Sequence, residues 1–139
     1  MALIRLIYAS VASNIFKSND VVTILNVSRI NNAMREVTGL LFFNKHFFLQ
    51  CLEGEEQQVE ETYDHIAKDT RHEKVTILSC KTINSRSFPN WTMGYVPQSQ
   101  LTNELAQSFC DSGTFDPFAM QGDSAYELLC KLKEQVPNH

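Results

Sequence analysis

Two apolar runs, Thr38-Gly39-Leu40-Leu41-Phe42-Phe43 and Phe47-Phe48-Leu49-Gln50-Cys51-Leu52, are separated only by Asn44-Lys45-His46. A polar spacer that short is of hairpin length, so the runs read as antiparallel strands. Their near-continuous apolarity predicts a hairpin buried on both faces rather than one with a wet side. Alternation places Phe48, Gln50 and Leu52 on one face and Phe47, Leu49 and Cys51 on the other.

The flanking segments extend this hairpin into a recognisable order. Leu3 to Ala9 reads as a strand, with Arg5, Ile7 and Ala9 on one side and Leu6, Tyr8 and Ser10 on the other. Ser18-Asn19-Asp20 offers N-cap chemistry before Val21, Ile24, Leu25 and Ser28, which share a helical stripe. That helix is predicted from about Asp20 to Ile30, with Asn31-Asn32 at its fraying end. Glu53-Gly54-Glu55-Glu56 reads as a strand end and the acidic first turn of a second helix, which carries Val59, Thr62, Tyr63, Ile66 and Ala67 to about Lys68. Val75 to Ile83 is a β-branched strand, and Trp91 to Val96 a shorter one that stops at Pro97.

The order β-α-β-β-α-β with one further strand predicts an α+β fold, a ferredoxin-like sheet with two helices on one face. Residues 98–139 add two helical stripes, Leu101-Leu105-Phe109 and Tyr126-Leu129-Leu132-Val136, around a break from Gly113 to Pro117. These two C-terminal helices should cover the free face of the sheet or a partner. The 139 residues are thus expected to form residues 1–97 plus a helical extension, 98–139, within the size of a single domain.

Charge and composition remove several classes of function. Twelve Lys and Arg stand against 16 Asp and Glu, a net charge of −4 with no basic stretch, which argues against direct nucleic-acid binding. No window is long and apolar enough for a membrane span, and the N-terminal residues lack the pattern of a signal peptide, so the cytoplasm is the expected location. Cys51, Cys80, Cys110 and Cys130 are too widely spaced for a zinc site, and no metal is expected. His65 and His72 read as surface residues at no metal spacing, and Trp91, Met93 and Tyr95 as one face of the last strand.

Two polar side chains stand out within the apolar strands. An unpaired amide at Gln50 would cost roughly 1–3 kcal/mol, and a central-strand Tyr8 needs a partner for its hydroxyl. The first and third strands of a split unit lie side by side, so Tyr8 and Gln50 can meet on the helix-facing surface, near Asn31-Asn32. The chain shows no carboxylate pair, Ser–His–Asp set or glycine-rich loop, so no enzyme is predicted. A small-molecule regulatory module on this scaffold and an acylphosphatase-type hydrolase are the competing readings, and the second lacks its phosphate-cradling loop.

In order and spacing, residues 1–97 resemble the BLUF family of blue-light sensors. The matching elements are Leu6-Ile7-Tyr8-Ala9-Ser10, Ser28 with Asn31-Asn32, Thr38-Gly39-Leu40-Leu41, Phe48 to Glu55, Glu61 to Ile66 with Asp69, Arg71-His72, and Trp91-Thr92-Met93. The resemblance implies a flavin between the two helices, FAD in the first instance with FMN or riboflavin as alternatives. It implies Tyr8 as the light-driven electron and proton donor and Gln50 as the amide bridging Tyr8 to the flavin. Asn32 would bond the pyrimidine edge with Ser28 and Asn31 nearby, while Ile24, Leu25 and Ile66 would sandwich the ring. His65, Asp69 and Arg71 would lie on the ribityl-phosphate side. Trp91 and Met93 would relay the signal, on a strand expected beside Gln50, to a response-regulator-like protein or transcriptional regulator. A homo-oligomer is also implied.

Overall fold

The computed structural model describes residues 2–17, 20–44, 46–89, 91–97, 103–109 and 115–134. Its elements run β1 (Leu3–Ala12), α1 (Asp20–Arg35), β2 (Thr38–Asn44), β3 (Phe47–Glu55), α2 (Glu56–Ala67), β4 (His72–Ile83), β5 (Gly94–Pro97), α3 (Asn103–Phe109), a 3₁₀ turn (Pro117–Ala119) and α4 (Gly122–Lys133). The strands form one sheet in the order β4-β1-β3-β2-β5, antiparallel except for the β2–β5 pair. This is the α+β ferredoxin-like arrangement, with β2 and β3 paired as the hairpin and buried on both faces.

The faces of β3 follow the period of two. Phe48 and Leu52 pack with Leu6, Tyr8, Val21, Leu25 and Val59 beneath α1 and α2. Leu49 and Cys51 pack with Ile7, Leu40 and Phe42 beneath Ala125, Leu128, Leu129 and Leu132 of α4. The last helix therefore lies on the free face of the sheet. Its buried stripe is Ala125-Leu128-Leu129-Leu132, with Tyr126 half-buried at the border. The expected Leu101, Val136, Ser18-Asn19 cap and Gly113-Thr114 break lie outside the described residues.

Helix α1 is longer than its sequence pattern suggests. Asn31 and Asn32 lie inside it, because the Asn32 amide finds a tertiary partner that outweighs its weak helix propensity. The helix closes one turn later in a Schellman arrangement, with Val37 N donating to Asn32 O at 2.9 Å and Glu36 N to Ala33 O at 3.3 Å. Glu36 takes the left-handed position usually held by glycine, at φ 56°, and the Arg86 guanidinium secures its carbonyl at 2.7 Å.

The expected strand at Trp91 begins only at Gly94. Residues 91–93 bend instead, with Gly39 N holding Trp91 O at 2.8 Å. Trp91 and Met93 consequently leave the same-face pattern: Trp91 packs in the α4-side core and Met93 in the core under α1. The Trp91 ring occupies the space where a Cβ on Gly94 would stand, so only glycine permits this close approach. Nor does β5 adjoin the strand of Gln50, since β2 lies between them.

Glu53 also departs from expectation. It is an interior strand residue with no exposure, not a helix-terminal acid. Arg5 Nε donates to its carboxylate at 2.8 Å, and Ser87 N and Phe88 N donate at 2.9 and 2.8 Å. Burying a carboxylate is tolerable only with this degree of pairing.

Candidate functional site

Tyr8 and Gln50 are direct cross-strand partners on β1 and β3. Both side chains are buried, at 3% and 4% exposure, so each polar atom needs a protein or ligand partner. The Tyr8 hydroxyl donates to Gln50 Oε1, and Gln50 Nε2 donates to Met93 Sδ at 3.1 Å. A thioether has no proton to give, so it must face the amide NH₂, which leaves Oε1 towards the phenol. Chemistry alone thus orients the Gln50 amide. Burial, with Tyr63 and Asp69 adding to it, raises the Tyr8 pKa far above the usual phenol value. The phenol stays neutral and keeps its proton at Oη.

This pair forms the floor of a cavity of about 170 Å³ between α1 and α2. Leu41 and Phe48 complete the floor. One wall is α1, through Ile24, Val27, Ser28 and Asn31; the other is the end of α2 and its following turn, through His65, Ile66, Asp69 and Arg71, with His72 at the start of β4. An apolar slot with a few convergent polar groups is the usual form of a small-molecule site.

At the mouth, Arg71 Nη2 lies 2.6 Å from Asp69 Oδ2. The Arg71 hydrogen bonds hold the Asp69 carboxyl below its ordinary range, and Asp69 in turn raises the Arg71 guanidinium. His65 is exposed at the rim.

Two expected contacts do not line the cavity. Leu25 is buried in the core beneath α1. Asn32 is 1% exposed, and its Nδ2 donates to Thr92 O at 2.8 Å. Arg29, one helical turn earlier, donates from Nε to Met93 O at 3.1 Å. Together they clasp the backbone of residues 92–93 to α1 and hold the Met93 sulfur against Gln50. The sequence reading missed Arg29 and His72. Their functional contacts are with segments distant along the chain, so no local spacing marks them. Trp91 lies on the opposite side of the sheet from the cavity.

Among the described residues no His, Cys, Asp and Glu cluster suits a metal ion, and no helix is long and apolar enough to cross a membrane.

Comparison with known proteins gives a consistent result. Residues 3–94 match the sequence profile of the family described as "BLUF: Sensors of blue-light using FAD". The photoactivated adenylate cyclase subunit beta of Euglena gracilis is 29% identical over 125 residues, 83% of this chain but only 15% of the cyclase subunit. The blue light- and temperature-regulated antirepressor BluF of Escherichia coli (strain K12) is 38% identical over 64 residues, 46% of this chain and 16% of that protein. The solved structure of BlsA in its photo-activated state superposes with a TM-score of 0.84 at 30% identity, covering 99% of this chain and 98% of that one. This chain therefore spans a small part of its curated relatives and nearly all of BlsA.

Proposed function

The chain belongs to the BLUF family of blue-light sensors, and from that premise we propose that light is read out through the chain Tyr8–Gln50–Met93 and passed to a protein partner. These 139 residues form a flavin-binding photoreceptor unit. Its cyclase relative is a far longer protein. The observation that carries the proposal is the buried hydrogen-bond chain opening into the cavity.

The donor set fits a flavin. Ile24 and Ile66, on opposite walls, suit the faces of a flat ring, with Leu25 supporting from the core. Gln50 at the floor, with Ser28 and Asn31 on α1, offers polar atoms to the ring edge. Asn32 keeps Oδ1 for the pyrimidine edge while Nδ2 holds Thr92 O. His65, Asp69 and Arg71 take the ribityl-phosphate side. FAD is the cofactor, and FMN or riboflavin would present the same ring to this cleft.

A bound flavin supplies the blue absorption and an excited state able to oxidise a neighbouring phenol. The protein's part follows from its own groups. Removal of an electron makes the Tyr8 phenol strongly acidic, so the proton at Oη would move along its existing bond towards Gln50 Oε1; return of both the electron and a proton restores the neutral phenol and leaves only the amide changed. An amide that rotates or tautomerises in response no longer presents the same N–H to Met93 Sδ. Met93 then keeps, among the described residues, its packing and the Arg29 clasp on its carbonyl. The change leaves the cavity through residues 91–93, with Trp91 on the far side of the sheet, and reaches the extension 98–139 from the sensing unit 1–97.

The partner is a transcriptional regulator or a response-regulator-like protein, a reading supported by the antirepressor named among the relatives. The sensor works in the cytoplasm as a homo-oligomer. The test is the visible spectrum of the purified protein before and after blue light, in the wild type, Tyr8→Phe and Gln50→Leu. The expected result is a flavin band that shifts slightly to the red and reverts in the dark, with the shift lost in both variants. A colourless protein that takes up no added flavin would overturn the reading.

A further inference from the structure

His72 opens β4 opposite Ala12 of β1, and its half-buried ring lines the cleft. Both ring nitrogens are engaged. Nε2 lies 2.6 Å from Ile66 O, and Nδ1 lies 2.8 Å from Ser10 Oγ. A carbonyl can only accept, so Nε2 carries a proton, while the Ser10 hydroxyl, able to donate or accept, completes the second bond at Nδ1. The two partners belong to different elements, β1 of the sheet and α2 of the cleft wall. Ser10 follows Tyr8 by two residues on β1 and is fully buried. Ile66 is in the last turn of α2, its side chain forming the cleft wall, and its carbonyl also accepts from Asp69 N at 3.0 Å. The imidazole stands edge-on to Tyr8 and Phe48, with ring centroids 6.3 and 5.8 Å apart.

We propose that His72 is a positioning residue: it ties the last turn of α2 to β1 and so fixes how far the Ile66 wall stands from Tyr8. This rests on the flavin reading of the cleft. Without the strut, the end of α2 keeps its helical bonds and the edge-on contact of Tyr63 with Tyr8 but loses the hydrogen-bonded tether from Ile66 O through His72 to Ser10 of β1. A flavin would then meet a wall that must be ordered on binding, at a cost in affinity.

His72→Phe separates the strut from mere filling, because it retains a planar ring against Tyr8 and Phe48 and removes both hydrogen bonds. His72→Gln retains a side chain able to donate to Ile66 O. Two quantities are measured on flavin-free protein: the dissociation constant for added FAD by fluorescence titration, and hydrogen exchange of amides 66–69. His72→Phe should weaken binding about tenfold, the loss of one or two ordinary hydrogen bonds, and should speed exchange at 66–69 alone. His72→Gln should recover part of both, and Ser10→Ala combined with His72→Phe should be no worse than His72→Phe. Wild-type affinity and exchange in His72→Phe would overturn the proposal. Exchange judges the strut even if the wild type binds no flavin, a result that would instead sink the sensor reading.

Discussion

On the α4 side of the sheet, Ile7, Leu40, Phe42, Leu49 and Cys51 are fully buried against Ala125, Leu128, Leu129 and Leu132. On the other side the same strands offer Tyr8, Gln50 and Phe48 to a cavity. There α1 buries only Val21, Leu25 and Asn32, while Val22, Val27, Ile30 and Met34 are exposed. The polar groups differ as sharply. Glu53 on the α4 side is surrounded by donors from β1 and the 87–88 loop, and Ser87 is itself bonded to Arg5, Tyr126 and Lys133. Gln50 on the cleft side has a weak sulfur acceptor for its NH₂. One face is closed and satisfied, so it can carry stability. The other keeps a loosely held amide beside a cavity, which is what a rearrangeable site requires.

The largest effect that would sharpen this contrast is at Glu53. Glu53→Ala leaves Arg5 and two backbone N–H groups without their acceptor, and should cost about 3–5 kcal/mol, read as a lower urea midpoint at unchanged slope. A loss no greater than that of a surface substitution would break the comparison. Leu129→Ala is next: a fully buried leucine removed from a close-packed face should cost about 2–5 kcal/mol. Neither variant should alter the dark flavin spectrum.

The smallest effect lies at the cleft mouth and depends on pH. Arg71 holds the Asp69 carboxyl below its ordinary range, so the carboxylate stabilises the fold fully above the unfolded value of about 3.9. That contribution falls as pH drops through the lowered folded value. The stability difference between wild type and Asp69→Asn should therefore be constant from neutral pH to about pH 4 and shrink below it. Solvent exposure of the pair keeps the difference small. A difference that grows on acidification would mean the pair is not formed.

Much of the cleft was legible because it depends on alternation and chain order. Once β1 and β3 are neighbours, Tyr8 meets Gln50, and the helical stripes bring Ile24 and Ile66 to the same side. What escaped depends on contacts between distant residues. Asn32 reads as a helix end because asparagine is a poor helix former, and only Thr92 O reveals why it is tolerated. Glu53 reads as a dipole-favouring acid, since nothing local announces Arg5 or the 87–88 loop. His72 reads as surface because its two partners come from β1 and α2. The family resemblance named Trp91 and Met93, but local alternation misplaced them, because the chain bends there and pairs only from Gly94.

By itself the sequence determined the order of elements, the faces of β1 and β3, and the pairing of a phenol with an amide. These follow from period, turn length and the need to satisfy buried polar groups, all of which are local or topological. The tertiary structure alone decided which side of the sheet Trp91 occupies, that Met93 reaches Gln50 across an intervening strand, and that Glu53 and His72 brace opposite faces. Those outcomes depend on which distant backbone groups come within hydrogen-bond distance, and that is settled only when the layers pack.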